Sequence, residues 1–319
     1  MASDLPDRFG PMTVKELRQG LRRGSFVYPF LGIQVLAVLA IVAEFQMGHV
    51  TKFNEHPGML NVVLLVTSGP FWIVVSVVCC LIMPMGGLVL MGQELEEGNH
   101  ELLLLTKLDR WKVTRGKFLT LWGVCALTFV SLLPYVVVRY LVGGVEWLRE
   151  IGCSLSVLGL SSMVAAGAIG ASAFRHLGGR IAVFALFVGS MVLACIPPLM
   201  ASAMVPGGFP VFYHLNAVAA TACYTVIGLS LARSRLRLVV HSYEVKPSWL
   251  LVGMLVFTPF VIWMSTLMTA GYGGFVGLIG MALVARYADV TPKAPKWMKA
   301  PPPNVPGGGA GQVPGGGVA

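Results

Sequence analysis

The chain is a succession of apolar runs, each near the length a helix needs to cross a bilayer. A hydrocarbon core about 30 Å thick takes roughly 20 helical residues. Eight runs approach that length: Phe26–Phe45, Pro70–Met91, Phe118–Val142, Ile151–Phe174, Ile181–Val205, Val211–Ala232, Trp249–Met268 and the shorter Tyr272–Ala285. In lipid every backbone N–H and C=O must bond within the protein, so a spanning chain is restricted to helices or a closed barrel. A barrel would show alternating segments of about ten residues. None occur. Only 12% of residues are charged and 56% are hydrophobic, with mean hydropathy +0.77, whereas a soluble domain carries about 25% charged residues. The expected fold class is an all-α integral membrane protein, a polytopic helical bundle of about eight transmembrane helices.

Orientation follows from Lys and Arg in the connectors. Alternate connectors hold twenty of them, among them Arg8, Lys15, Arg18, Arg22 and Arg23 before the first run, and Arg233, Arg235, Arg237 and Lys246 after the sixth. The intervening connectors hold three: Lys52, Arg139 and Arg149. Both termini are therefore expected in the cytoplasm. The net charge of +9 is this topology signal and does not call for nucleic acid. The charged start and VLAIVA before Glu44 also fit a signal peptide. However, the apolar run exceeds a typical h-region, and the connector charges alternate evenly only if the segment stays as an anchor.

Residues 12–24, MTVKELRQGLRRG, space Met12, Val14, Leu17 and Leu21 near i, i+3 and i+4, with bases on the remaining face. That suits a short helix on the inner leaflet facing lipid phosphates, or a plain positive-inside flank. Pro84, Pro134 and Pro259 should kink their spans. The pair Pro197–Pro198, followed by PGGFP, predicts a fifth span that breaks or re-enters near the outer face. SSMVAAGAIGASA at 161–173 predicts close helix packing through small residues. From about Thr291 the tail turns rich in Pro, Lys and Gly and is expected to be disordered.

Much chemistry is excluded. Ionisable residues are absent from the middle of every run, with Glu44 and Arg139 near run ends, so a proton relay has nothing to run on. His100–Glu101 starts like a zinc-protease motif but lacks the second histidine, and no phosphate-cradling GxxxxGK[ST] exists. The six cysteines all lie in apolar runs without a CxxC partner. Cys79, Cys80, Met83 and Met85 offer soft ligands that would suit Cu(I). Adjacent cysteines on a helix diverge by about 100°, so apolar packing is the simpler account. No catalytic residue, metal site or cofactor is assigned to this chain.

Charge gathers in one connector, QELEEGNHELLLLTKLDRWKVTRGK at 93–117, with five acids and five bases around four leucines. Gly98–Asn99 breaks the exit from the second span, and Asn99 caps a short helix with Glu101 in its first turn. Asp109 caps the next helix, which leads into the third span. Leu102–Leu105 surround two helical turns that are marginal alone in water. They can pack back on the bundle and inner leaflet, or enter a groove on a soluble partner.

This connector resembles that of the ABC-2 type transporter permease family, whose members read E-x-G-[TS]-x-E-x-L-L-x-[TS]-P-[LM] and then G-K into the third span. Glu97, Gly98, Glu101, Leu103, Leu104, Thr106, Leu108, Gly116 and Lys117 fit. Asn99 and Lys107 depart from the pattern and change its turn chemistry. The basic segment before the first span, Pro134 with Gly143–Gly144, and a broken fifth span add to the likeness, which covers roughly residues 11–237. It implies the membrane-spanning subunit of an ATP-driven transporter, an exporter in the bacterial inner membrane, with no enzymatic activity of its own. A separate ATP-binding subunit, carrying ATP and Mg, would dock on Glu97, Gly98, Glu101, Leu102, Leu103, Leu104, Leu105 and Thr106. A second permease copy or a similar permease would complete the transporter.

The expected organisation is thus a cytoplasmic start over 1–25 and a six-span core over 26–232 carrying the connector 93–117. A basic connector over 233–248, two further spans within 249–286 and a tail over 287–319 follow. A different class of reading, a membrane scaffold that recruits a soluble complex without transport, fits the same connector.

Overall fold

A computed structural model describes residues 24–47, 62–88, 110–143, 146–174, 176–204, 210–235 and 249–288. These are almost entirely helical, without a strand among them. In chain order the helices are α1 (Gly24–Met47), α2 (Val62–Thr67), α3 (Pro70–Met85), α4 (Arg110–Gly143), α5 (Trp147–Ser172), α6 (Leu177–Met204), α7 (Pro210–Arg235), α8 (Leu250–Met268) and α9 (Gly274–Ala288). Six of the eight expected spans appear as helices long and apolar enough to cross a membrane. The chain is thus a multi-pass helical membrane protein. The other two, α3 and α9, are apolar helices shorter than these six. The N-terminal amphipathic segment, the connector 93–109, most of the basic connector and the tail lie outside the described residues.

Helix direction alternates. Gln34 bonds Ser131 at 2.7 Å and Glu44 meets Arg139, so α1 and α4 are parallel. Gly159 lies against Thr221 and Gly170 against Gly228, so α5 and α7 are parallel too. Consequently Arg110, Lys112, Arg115, Lys117, Arg180, Arg233, Arg235 and Arg286 gather at one end of the bundle. The described carboxylates Glu44, Glu146 and Glu150 lie at the other, with Arg139 and Arg149.

The two larger apolar cores share α5. One joins α1, α3, α4 and the first half of α5 around Phe71, Trp72, Phe129 and Leu132. The other joins the second half of α5 to α6–α9 around Phe187, Tyr224, Ile227 and Leu255. The small residues of α5 act as expected. A Cβ on Gly170 would stand 2.8 Å from the Gly228 carbonyl oxygen, and one on Gly167 would stand 2.4 Å from the Phe187 ring. Backbones can come this close only where side chains are missing.

The prolines divide into two outcomes. Pro84 has no N–H, and its neighbourhood relaxes into a π-helical turn over Val78–Ile82, with the Met83 N–H reaching back to the Val78 carbonyl. Such bulges absorb proline strain inside helices. The expected break at Pro197–Pro198 does not occur: α6 runs through the pair to Met204. Pro197 leaves the Leu193 carbonyl without its usual i+4 donor, and the Trp263 indole N–H of α8 bonds that carbonyl at 3.2 Å. A neighbouring helix thus supplies the missing bond, as lipid-embedded prolines require.

The tightest approach to backbone yields a test. A Cβ on Gly228 would stand 2.6 Å from the Ala166 carbonyl carbon and 2.7 Å from its oxygen. Gly228→Ala should therefore destabilise the bundle by about 1–3 kcal/mol in detergent thermal unfolding. Gly189→Ala, with nothing within 4 Å of its Cβ, should leave the transition in place.

Candidate functional site

The end of the bundle away from the basic residues encloses an ionic cluster. Glu44 lies about one turn inside the end of α1, Arg139 one turn inside the end of α4, and Glu150 in the first turn of α5. All three are buried, with 2–4% of their surface exposed. The Arg139 Nε donates to Glu44 Oε1 at 2.9 Å and Oε2 at 3.0 Å, and Nη2 donates to Oε1 at 2.6 Å. Its Nη1 bonds Glu150 Oε1, and Nη2 also donates to the Ser68 carbonyl. The Trp72 indole N–H reaches Glu150 Oε2 at 3.1 Å. One guanidinium fork thereby binds α1, α5 and the turn before α3.

The turn is shaped for this. Gly69 has φ +112, a conformation that side-chain-bearing residues rarely adopt, and a Cβ there would lie 2.9 Å from Glu44 Oε1. Arg149 donates from Nε to Ser68 Oγ at 3.0 Å and from Nη2 to the Thr67 carbonyl at 3.3 Å. Ser68 Oγ also lies 3.4 Å from the Cys153 sulfur. Two carboxylates thus face two guanidiniums in a locally neutral site. Burying such charges costs several kcal/mol per ion, an expense offset only by close pairing and extensive hydrogen bonding, which Arg139 has.

Sequence reading placed Arg139 and Arg149 among connector charges. The structure corrects this: both belong to helices, and Arg139 is inside the bundle. A usable signal existed, because Glu44 and Arg139 fall just inside the ends of their runs and Glu150 borders the next, and these run ends share the same expected side of the membrane. Trp72 and Ser68 carried no such mark.

The residues expected to contact an ATP-binding subunit, Glu97, Gly98, Glu101, Leu102, Leu103, Leu104, Leu105 and Thr106, lie outside the described residues. Gly116 and Lys117 of the same pattern are described. Both are buried in α4, Lys117 with 1% exposure. Cys79 and Cys80 are buried in the π turn, and the Cys80 thiol donates to the Val157 carbonyl at 3.5 Å. The chain matches no family model, no curated protein and no solved structure.

The cluster has a fastening chemistry, and each deletion should report it. Arg139→Met strands two buried carboxylates and should cost about 3–5 kcal/mol. Trp72→Phe removes one charge-assisted bond and should cost about 1.5–3 kcal/mol. Adding Glu44→Gln and Glu150→Gln to Arg139→Met should recover part of the loss, since the charges are coupled. Unfolding in mild detergent measures all three; equal effects of Arg139→Met alone and in the triple variant would contradict a coupled cluster.

Proposed function

We propose that this chain is the membrane-spanning permease subunit of an ATP-driven ABC-2 type transporter, operating as an exporter, with both termini in the cytoplasm and a dimeric assembly. The observation that carries the reading is the connector pattern from Glu97 to Lys117, in which an acid-fronted run of leucines precedes Arg115-Gly116-Lys117 at the start of a span. The helices flanking that connector lend support. Gly87 lies against Leu121 of α4 and Ala168 of α5, so α3 leaves the bundle at the same basic end where α4 enters it. A connector emerging from that end is on the cytoplasmic side by the positive-inside rule.

In this reading the leucines of 102–105 are covered by the ATP-binding subunit, and ATP-driven closure of that partner biases the bundle between two arrangements. The bias extends only as far as the partner's difference in affinity for them. Hydrolysis belongs to the partner; this chain transmits.

The test is purification of tagged protein from native membranes in mild detergent, with identification of what accompanies it. An ATPase bearing a phosphate-binding loop should co-purify with the wild type, and Leu103→Asp should reduce its recovery at least about tenfold, since a buried charge costs more than the 1.4 kcal/mol such a factor needs. Gly98→Pro should uncouple transport while leaving membrane insertion intact. Absence of an ATPase, or one that ignores Leu103→Asp, would contradict the permease reading and favour a scaffold.

A further inference from the structure

At the end away from the basic residues, the turn between α8 and α9 brings three helices onto one point inside the bundle. Ala270 and Gly271 take positive φ values of 51 and 99. The chain doubles back there, so Gly274, the first residue of α9, lies beside Thr266 of α8 and Asn216 of α7. A Cβ on Gly274 would stand 2.9 Å from Asn216 Oδ1 and 2.9 Å from Thr266 Oγ1. Both side chains are buried, each 4% exposed. Neither oxygen has a hydrogen-bond partner among the described residues.

A helical threonine can satisfy its hydroxyl on the carbonyl one turn back. Thr258 and Thr269, on either side of Thr266 in the chain, do so at 2.6 Å. Thr266 does not. The Ile262 carbonyl it would take is bonded by Ser265 Oγ at 3.1 Å, and the Thr266 hydroxyl is turned toward Gly274 and Asn216 instead. Since both oxygens lie 2.9 Å from one point, they are at most twice that, 5.8 Å, apart. A water about 2.8 Å from each bridges separations up to about 5.6 Å. The chemistry of the pair selects this occupant. An anion would face the Asn216 amide oxygen, and a cation would meet two neutral oxygens near the positive end of the α9 dipole. A water donates to Asn216 Oδ1 and accepts from the Thr266 hydroxyl. Its remaining capacity suits the first N–H groups of α9, which have no intrahelical acceptor. Phe212, one turn before Asn216 on α7, packs 5.1 Å from the Tyr272 ring and 6.4 Å from that of Phe275. These rings lie between the site and the adjacent helix ends.

We infer that Asn216, Thr266 and the N-terminus of α9 form a site for one buried water, beneath the cover of Phe212, Tyr272 and Phe275. Buried polar groups left without protein partners are ordinarily met in this way. The water joins α7 to the α8–α9 hairpin, so this end of the hairpin is fastened through an exchangeable ligand as well as through side chains. This site does not depend on the permease reading.

The experiment is X-ray hydroxyl-radical labelling of the full chain in mild detergent, read by mass spectrometry at Phe212, Tyr272 and Phe275, with thermal unfolding in parallel. Radicals formed on a bound water oxidise the rings beside it, whereas Phe257, exposed on the outer face of α8, reports the background. The wild type should label the three rings severalfold above Phe257. Thr266→Val, which keeps the shape and loses the hydroxyl, should lose that excess, and Thr266→Ser should keep it. In melting temperature, Asn216→Ala and Thr266→Val should be coupled, the double variant losing less than the two single losses together. Background labelling in the wild type, or an excess that survives Thr266→Val, would overturn the site, as would additive losses. Labelling or melting that shifts when choline replaces sodium, or gluconate replaces chloride, would overturn it in favour of an ion.

Discussion

A buried guanidinium presents five N–H donors in a fixed planar fork, and Arg139 pairs four of them by drawing on three separate parts of the chain. Its Nε edge takes the Glu44 carboxylate from α1, Nη1 takes Glu150 from α5, and the Ser68 carbonyl completes the set. The geometry of this end of the bundle follows from that demand. Gly69 adopts a positive φ so that the chain can turn beside Glu44 without a side chain in the way. Trp72, one turn into α3, then points its N–H at the remaining oxygen of Glu150. Removing any one of these partners exposes a charge to an environment that cannot solvate it.

The two ends are built on opposite principles. One is a neutral, internally paired cluster that joins α1, α3, α4 and α5 into a body around a shared apolar core. The other gathers bases against aromatic faces: Arg235 lies 3.6 Å from the Phe174 ring centre and 5.1 Å from that of Trp249. Between them, α5 serves both cores, and its Gly167 and Gly170 let α6 and α7 come close. In the proposed transporter, the connector from α3 to α4 joins two helices of the body held by Arg139. A push at the connector is therefore delivered to several helices together.

The apolar runs made the helices legible because lipid leaves a spanning chain few alternatives. Packing through 161–173 was readable for a similar reason, since runs of Ala, Gly and Ser have no purpose on a lipid-facing surface. What stayed hidden were contacts that depend on pairing across the fold. Nothing local to Pro197 says that Trp263, on another helix, will bond the carbonyl it leaves open. Arg139 and Arg149 resemble connector charges until their helices are placed, and Glu44 resembles the end of an anchor. The connector residues 97–106 were conspicuous in the sequence for their charge and leucines, and their reading rests on that pattern.

In the proposed topology the basic end faces the cytoplasm and the Arg139 cluster faces the opposite side of the membrane. Five of the six native cysteines are buried and the sixth is half-buried, which leaves a quiet background for single reporter cysteines. Glu146→Cys, exposed at the start of α5, and Tyr287→Cys, exposed at the end of α9, mark the two ends. A membrane-impermeant maleimide should label Glu146→Cys in intact cells and Tyr287→Cys only after the membrane is opened. The reverse pattern would invert the bundle, move the 93–117 connector to the outside and contradict the account.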